Sequence, residues 1–135
     1  MRKALPGLAL VVALAVLLGT GQRARALEGE GVILQGLDKV TARISTIEVA
    51  LNQPVHFGSL EIVAKRCVKR PPEESPESAA FLEIREVRPD EPPHDLFRGW
   101  MFASSPALSA LEHPVYDVWV KDCLNVKSED VSGPR

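Results

Sequence analysis

Ser104, Ser105 and Ser109 stand a few residues upstream of His113 and Asp117 in this 135-residue chain. A hydroxyl, an imidazole and a carboxylate are the residue types of an acyl-transfer hydrolase. In that chemistry the imidazole takes the serine proton and the carboxylate holds the ring in the correct tautomer. Ser105, His113 and Asp117 are the set such a reaction would use. It would also need the nucleophile on a strained elbow such as G-x-S-x-G, with backbone N–H groups arranged for an oxyanion. The run Gly99-Trp100-Met101-Phe102-Ala103-Ser104-Ser105-Pro106 has no such context.

Backbone chemistry accounts for the same letters. Ser105 is a favoured N-cap and Pro106 a favoured first helical residue. Ala107, Leu108, Ala110 and Leu111 would line one apolar face over two turns. Pro114 disfavours helical geometry at His113. The stretch predicts a short helical crossover between two strands, and no residue is assigned a catalytic role. Asp117 shares a strand face with Trp119 and Lys121, so its expected partner is a cross-strand base such as Arg98.

Other constellations are equally incomplete. His56, His94 and His113 fall one to an element, without i, i+4 or H-x-H spacing, and no metal site is predicted. Glu73, Glu74 and Glu77 offer carboxylate oxygens but lack the D-x-D-x-D-G pattern of a calcium loop. They read as a solvated acidic loop, and as the candidate partner-binding loop. Glu83 and Asp90 could hydrolyse a glycosidic bond only at the separation that chemistry demands, which the spacing does not establish. Trp100 and Trp119 would form a sugar-stacking platform if exposed; embedded in apolar runs, they read as core. No cofactor motif is present, and none is expected.

What must position these residues begins after the amino-terminal segment. Residues 1–26 read as a cleaved secretory signal, with a basic start at Arg2-Lys3, an apolar run from Ala4 to Gly19, and Ala24-Arg25-Ala26 as the small-x-small cleavage pattern. The apolar run is short of the roughly 20 residues that span a bilayer. The chain carries 16 basic and 18 acidic residues, and four of the bases lie in this segment, so the mature balance is about −6. That sign argues against nucleic acid as a partner, since backbone phosphates need clustered Lys and Arg.

Residues 27–123 are expected to form a single β domain and 124–135 a flexible polar tail. Val32–Leu34 read as a short strand closed by Gly36-Leu37-Asp38-Lys39. Alternation begins at Val40 and changes parity near Thr46, predicting a bulge there. Runs beginning at Val55 and Leu60 read as a hairpin reaching Cys67. Residues 69–79 and 88–95 are proline-rich loops around a strand at Ala80–Val87. Leu96–Ala103 is apolar on both faces, as in a strand covered on both sides. Val115–Cys123 forms the last strand. Strands at this density predict an all-β sandwich or partly open barrel. The two cysteines, Cys67 and Cys123, are an even pair in an exported chain and predict a disulfide.

Three segments together carry a resemblance: Gly36-Leu37-Asp38-Lys39-Val40-Thr41-Ala42-Arg43; the block from Arg66-Cys67 through Arg70-Pro71-Pro72-Glu73-Glu74 to Phe81-Leu82-Glu83-Ile84; and Gly99 to Cys123. The chain resembles a small exported family of alphaproteobacteria, domain of unknown function 2155, over about residues 31–123. The resemblance implies an envelope location and a cysteine at both Cys67 and Cys123, and brings no activity, cofactor or catalytic residue. The combined expectation is a non-enzymatic periplasmic domain, without a membrane anchor once the signal is removed. Its partner would be an envelope protein or a cell-wall component. A Ser105/His113/Asp117 hydrolase and a carbohydrate-binding module using Trp100 or Trp119 are the alternatives.

Overall fold

A computed structural model describes residues 25–106 and 110–126. The signal-peptide expectation falls on residues 1–26 and the tail expectation on 124–135, so both lie largely outside the described residues. Among the described residues nine strands are present: β1 Leu27–Glu28, β2 Gly31–Asp38, β3 Arg43–Ala50, β4 Val55–Phe57, β5 Leu60–Lys69, β6 Ser78–Glu86, β7 His94–Phe102, β8 Leu111–Glu112 and β9 Tyr116–Leu124. They form two antiparallel sheets. One has the order β1-β5-β6-β7, with β4 also paired to β5; the other has the order β3-β2-β9-β8. The sheets pack face to face without closing into a barrel, which resolves the expected choice in favour of a sandwich.

The core lies between them. Leu60, Ile62, Ala64, Leu82, Ile84 and Met101 from the first sheet meet Val32, Leu34, Val49, Val118 and Val120 from the second, and all are fully or almost fully buried. Period-two alternation puts these side chains on one face of each strand and leaves the intervening residues outside. Gly31 permits the closest approach in the second sheet: a Cβ there would lie 2.3 Å from the Val49 carbonyl oxygen.

Bulges set the phase of the cysteines. In β5 the register slips between Ala64 and Arg66, leaving Lys65 unpaired. In β9 it slips opposite Ile33 and Leu34, leaving Lys121 unpaired. Each extra residue flips the face presented by the remainder of its strand. Buried positions 60, 62 and 64 thus give way to Cys67, and 118 and 120 to Cys123. The two cysteines meet in the core as a disulfide, with Cα atoms 5.7 Å apart.

Several expectations change. β2 runs on through Gly36–Asp38, which had read as a turn. The turn comes later: Asp38 Oδ1 accepts the N–H groups of Val40 (2.9 Å) and Thr41 (3.2 Å), and Ala42 takes φ of 57°. Short carboxylate side chains favour this local closure. Val40 and Ile44 are therefore exposed rather than in the core, and β2 pairs with β3 without a bulge at Thr46. The β4–β5 hairpin holds, turned by Gly58 at φ 57°. β7 is an edge strand, not a covered one. The predicted helical crossover falls largely on residues 107–109, which lie outside the described residues; the Pro106 carbonyl accepts the Ala110 N–H at 3.0 Å. Leu111 and Glu112 instead pair with Val118 and Asp117 as β8. Sheet pairing prevails there over the local helical pattern.

Candidate functional site

The proposed triad is dispersed along β6. At the start of that strand, Ser104 donates its hydroxyl and its N–H to the Glu77 carboxylate, and the Ala103 N–H bonds Ser78 O at 2.9 Å. At the far end, His113 Nε2 lies 2.5 Å from Glu86 Oε2. The eight steps of strand from Ser78 to Glu86 separate the two groups, a span of about 26 Å at 3.3 Å per residue. Ser105 follows directly on Ser104 and belongs to the first end. Asp117 does not orient the imidazole: its Oδ1 lies 2.8 Å from Lys39 Nζ, a charge pair from the β2–β3 turn. The expected base, Arg98, faces Glu83 instead, at 3.6 Å. The triad reading is overturned by this placement.

His113 acts as a strut between the sheets. It precedes β9 in the second sheet and reaches Glu86 in the first, while its Nδ1 accepts the Val115 N–H at 3.1 Å. That acceptance places the proton on Nε2, facing the carboxylate. Tyr116 stacks on the ring at 5.6 Å, and Lys39 Nζ donates to the His113 carbonyl at 2.8 Å. The hydrogen bond from His113, assisted by the charge of Arg88, holds the Glu86 carboxyl below the usual carboxylate range although burial opposes it. A carboxyl lowered in the folded state stabilises the fold above its unfolded pKa, and that contribution is lost as pH falls through the folded value. Melting temperature is therefore expected to fall below about pH 5, where unfolded carboxyls begin to bind protons. In Glu86→Gln the acid limb should be shallower. Identical limbs in the two proteins would show that this pair carries no linkage.

A second polar cluster flanks the disulfide. Asp122 Oδ1 accepts from Ser78 Oγ (3.1 Å) and the Cys123 N–H (2.8 Å), while Oδ2 accepts from Lys69 Nζ at 3.3 Å. Burial alone would raise the Asp122 pKa, but these donors outweigh it and lower it. Ser78 is thereby occupied as a structural donor. In the acidic loop, Glu73 and Glu74 are exposed, on a turn closed by the Glu74 N–H to the Pro71 carbonyl at 3.0 Å. Glu77 instead turns inward to cap Ser78 and Ser104.

The tryptophans separate. Trp119 lies in the second sheet, half-buried, its Nε1–H donating to Gln35 Oε1 at 3.1 Å. Trp100 lies in the first sheet on β7 and is 38% exposed, with Phe102 41% exposed beside it. Neither is core, and they share no platform. Trp100 packs edge-on against Phe81, ring centroids 5.6 Å apart. In the β6–β7 register, Phe81 opposes Trp100 and Glu83 opposes Arg98, so these side chains share the outer face of the sheet. Next along the face, where β7 bulges at Leu96, a cavity of about 320 Å³ opens among Glu61, Val63, Glu83, Arg85, Asp95 and Arg98. Arg85 closes on Glu61 at 2.8 Å. This face was missed in the sequence because edge position depends on strand order, which no local pattern encodes.

No solved structure matches the chain. It is similar to an uncharacterized protein of Rickettsia prowazekii (strain Madrid E), 36% identical over 88 residues, an alignment spanning 65% of this chain and 57% of that relative. The family described as "Uncharacterized protein conserved in bacteria (DUF2155)" matches residues 32–123, from β2 to the second cysteine. The chain belongs to that family.

Proposed function

We propose that this protein is an extracytoplasmic, non-enzymatic binding domain that engages a component of the bacterial envelope with the outer face of β6 and β7. The half-exposed cluster of Phe81, Trp100 and Phe102 carries the reading. Large apolar side chains grouped on an open edge strand cost solvation free energy unless something covers them. The polar residues that might have pointed to catalysis are engaged in holding the sandwich together. The disulfide fits an oxidising compartment, and the basic and apolar start of the chain fits export.

The reading is tested in whole cells with a photo-crosslinking amino acid in place of Phe102 on this face, and of exposed Glu48 on the opposite sheet. A discrete adduct from position 102 and none from position 48, formed by chain carrying the Cys67–Cys123 linkage, is the result expected. Free thiols in that chain, or equal labelling from both positions, would overturn it.

A further inference from the structure

From the cavity at the β7 bulge and the half-exposed Trp100 next along the same face we infer a site for a neutral, hydroxyl-rich glycan, with the indole as a stacking surface beside the cavity; this rests on the binding face proposed above and names its ligand class. The cavity volume of about 320 Å³ falls at the lower end of the range of small-ligand clefts, about 300–1,000 Å³. Its walls alternate in sign. Glu61 meets Arg85 at 2.8 Å, Glu83 meets Arg98 at 3.6 Å, and Asp95 adds a third carboxylate. An anion entering this space faces the carboxylates, and a cation faces the guanidiniums, so neither sign is well accommodated. A sugar hydroxyl both donates and accepts, and a ring of them can address carboxylate oxygens and guanidinium N–H groups at once.

Trp100 supplies what a polar pocket lacks. The Trp100–Phe81 and Arg98–Glu83 pairs are successive on the same face, about 7 Å apart along the strand, so Trp100 stands one residue pair beyond the residues that line the cavity. Phe81 packs its edge at an interplanar angle of 81° and restrains it. A restrained aromatic surface beside hydrogen-bonding groups suits the C–H face of a pyranose, which is apolar while its rim is polar. Among the described residues β7 is the last strand of its sheet, and none of their strands pairs with its outer edge. The surface cavity beside Glu91 and His94 and the one beside Lys69 and Lys121 are lined by no aromatic residue of the Trp or Phe type, whereas Phe97 lines this one and Trp100 stands next to it on the face.

The test titrates the disulfide-bonded exported chain with neutral glycan probes: a β-linked N-acetylhexosamine disaccharide and a soluble neutral glucan. Polygalacturonate is the anionic comparison. Trp119→Phe leaves Trp100 as the sole indole, so its fluorescence reports the site directly, and calorimetric titration measures binding in the parent and in the variants that lack Trp100. A saturable change with a neutral probe, weakened about tenfold or more in Trp100→Ala and less in Trp100→Phe, is the expected result. Melting curves of both variants must match the parent, and Arg98→Ala provides an independent second loss. Absence of saturation by either neutral probe to about 10 mM overturns the glycan assignment. A position-102 adduct would then still stand for the binding face itself. Tighter binding of polygalacturonate, binding undiminished in Trp100→Ala, or concentration-dependent pairing of β7 edges that buries Trp100 overturns it equally.

Discussion

Replacing both cysteines by alanine lowers the stability of this domain by about 4 kcal/mol. The bridge spans 56 residues, and closing a loop of that length removes about that much chain entropy from the unfolded ensemble. Alanine is the suitable replacement because Cys67 is fully buried and Cys123 nearly so, and a serine hydroxyl would add an unsatisfied polar group to the loss. Domains of this size are stable by about 5–15 kcal/mol in all, so the linkage is a large share of the total. The corresponding fall in melting temperature is roughly 15–30 °C. Urea titration of the oxidised protein and of the double variant measures it directly. Coincident midpoints with equal slopes would show that the bridge is dispensable to the fold.

Leu82→Ala is expected to cost about 2–5 kcal/mol, while Glu83→Ala, one residue along, costs less than about 1 kcal/mol. Leu82 is fully buried on β6, the interior strand between β5 and β7, and points at the opposite sheet. Truncation there loses the transfer free energy of the side chain and leaves a cavity that paired strands on both sides cannot close. Glu83 points the other way, and its contact with Arg98 is a solvent-screened pair at 3.6 Å whose basic side chain is 77% exposed. Chemical denaturation of both variants separates the two faces of one strand. Similar losses from both would mean that β6 is not phased as the register shows.

The alternation of Leu82 and Ile84 with Glu83 and Arg85 made this strand legible in advance, and the same logic exposed the β4–β5 hairpin and the proline-rich loops. Two exposed apolar residues, Val40 and Ile44, mimicked a core face and displaced the apparent bulge to Thr46. The slips at Lys65 and Lys121 sit at charged residues, and the one at Leu96 lies inside an apolar run. The cysteine pairing could be inferred from parity of number and compartment, whereas the bulges that aim both sulfurs inward could not. β7 misled for a related reason: a strand apolar on both faces reads identically whether it is covered by neighbours or lies at the edge of a sheet. Glu86 as the partner of His113 was beyond local reading, because the two stand 27 positions apart with all of β7 between them.

Both proline-rich connections, 70–77 and 87–93, lie within the circuit that the Cys67–Cys123 bond closes. Proteolytic cleavage in either one therefore does not release a fragment: the severed pieces remain a single covalent molecule until a reductant is supplied. Arg70 and Arg88 are each followed by proline, which makes both sites poor substrates for proteases that cut after basic residues. A nicked form would run as intact material on a non-reducing gel and as two bands after thiol treatment.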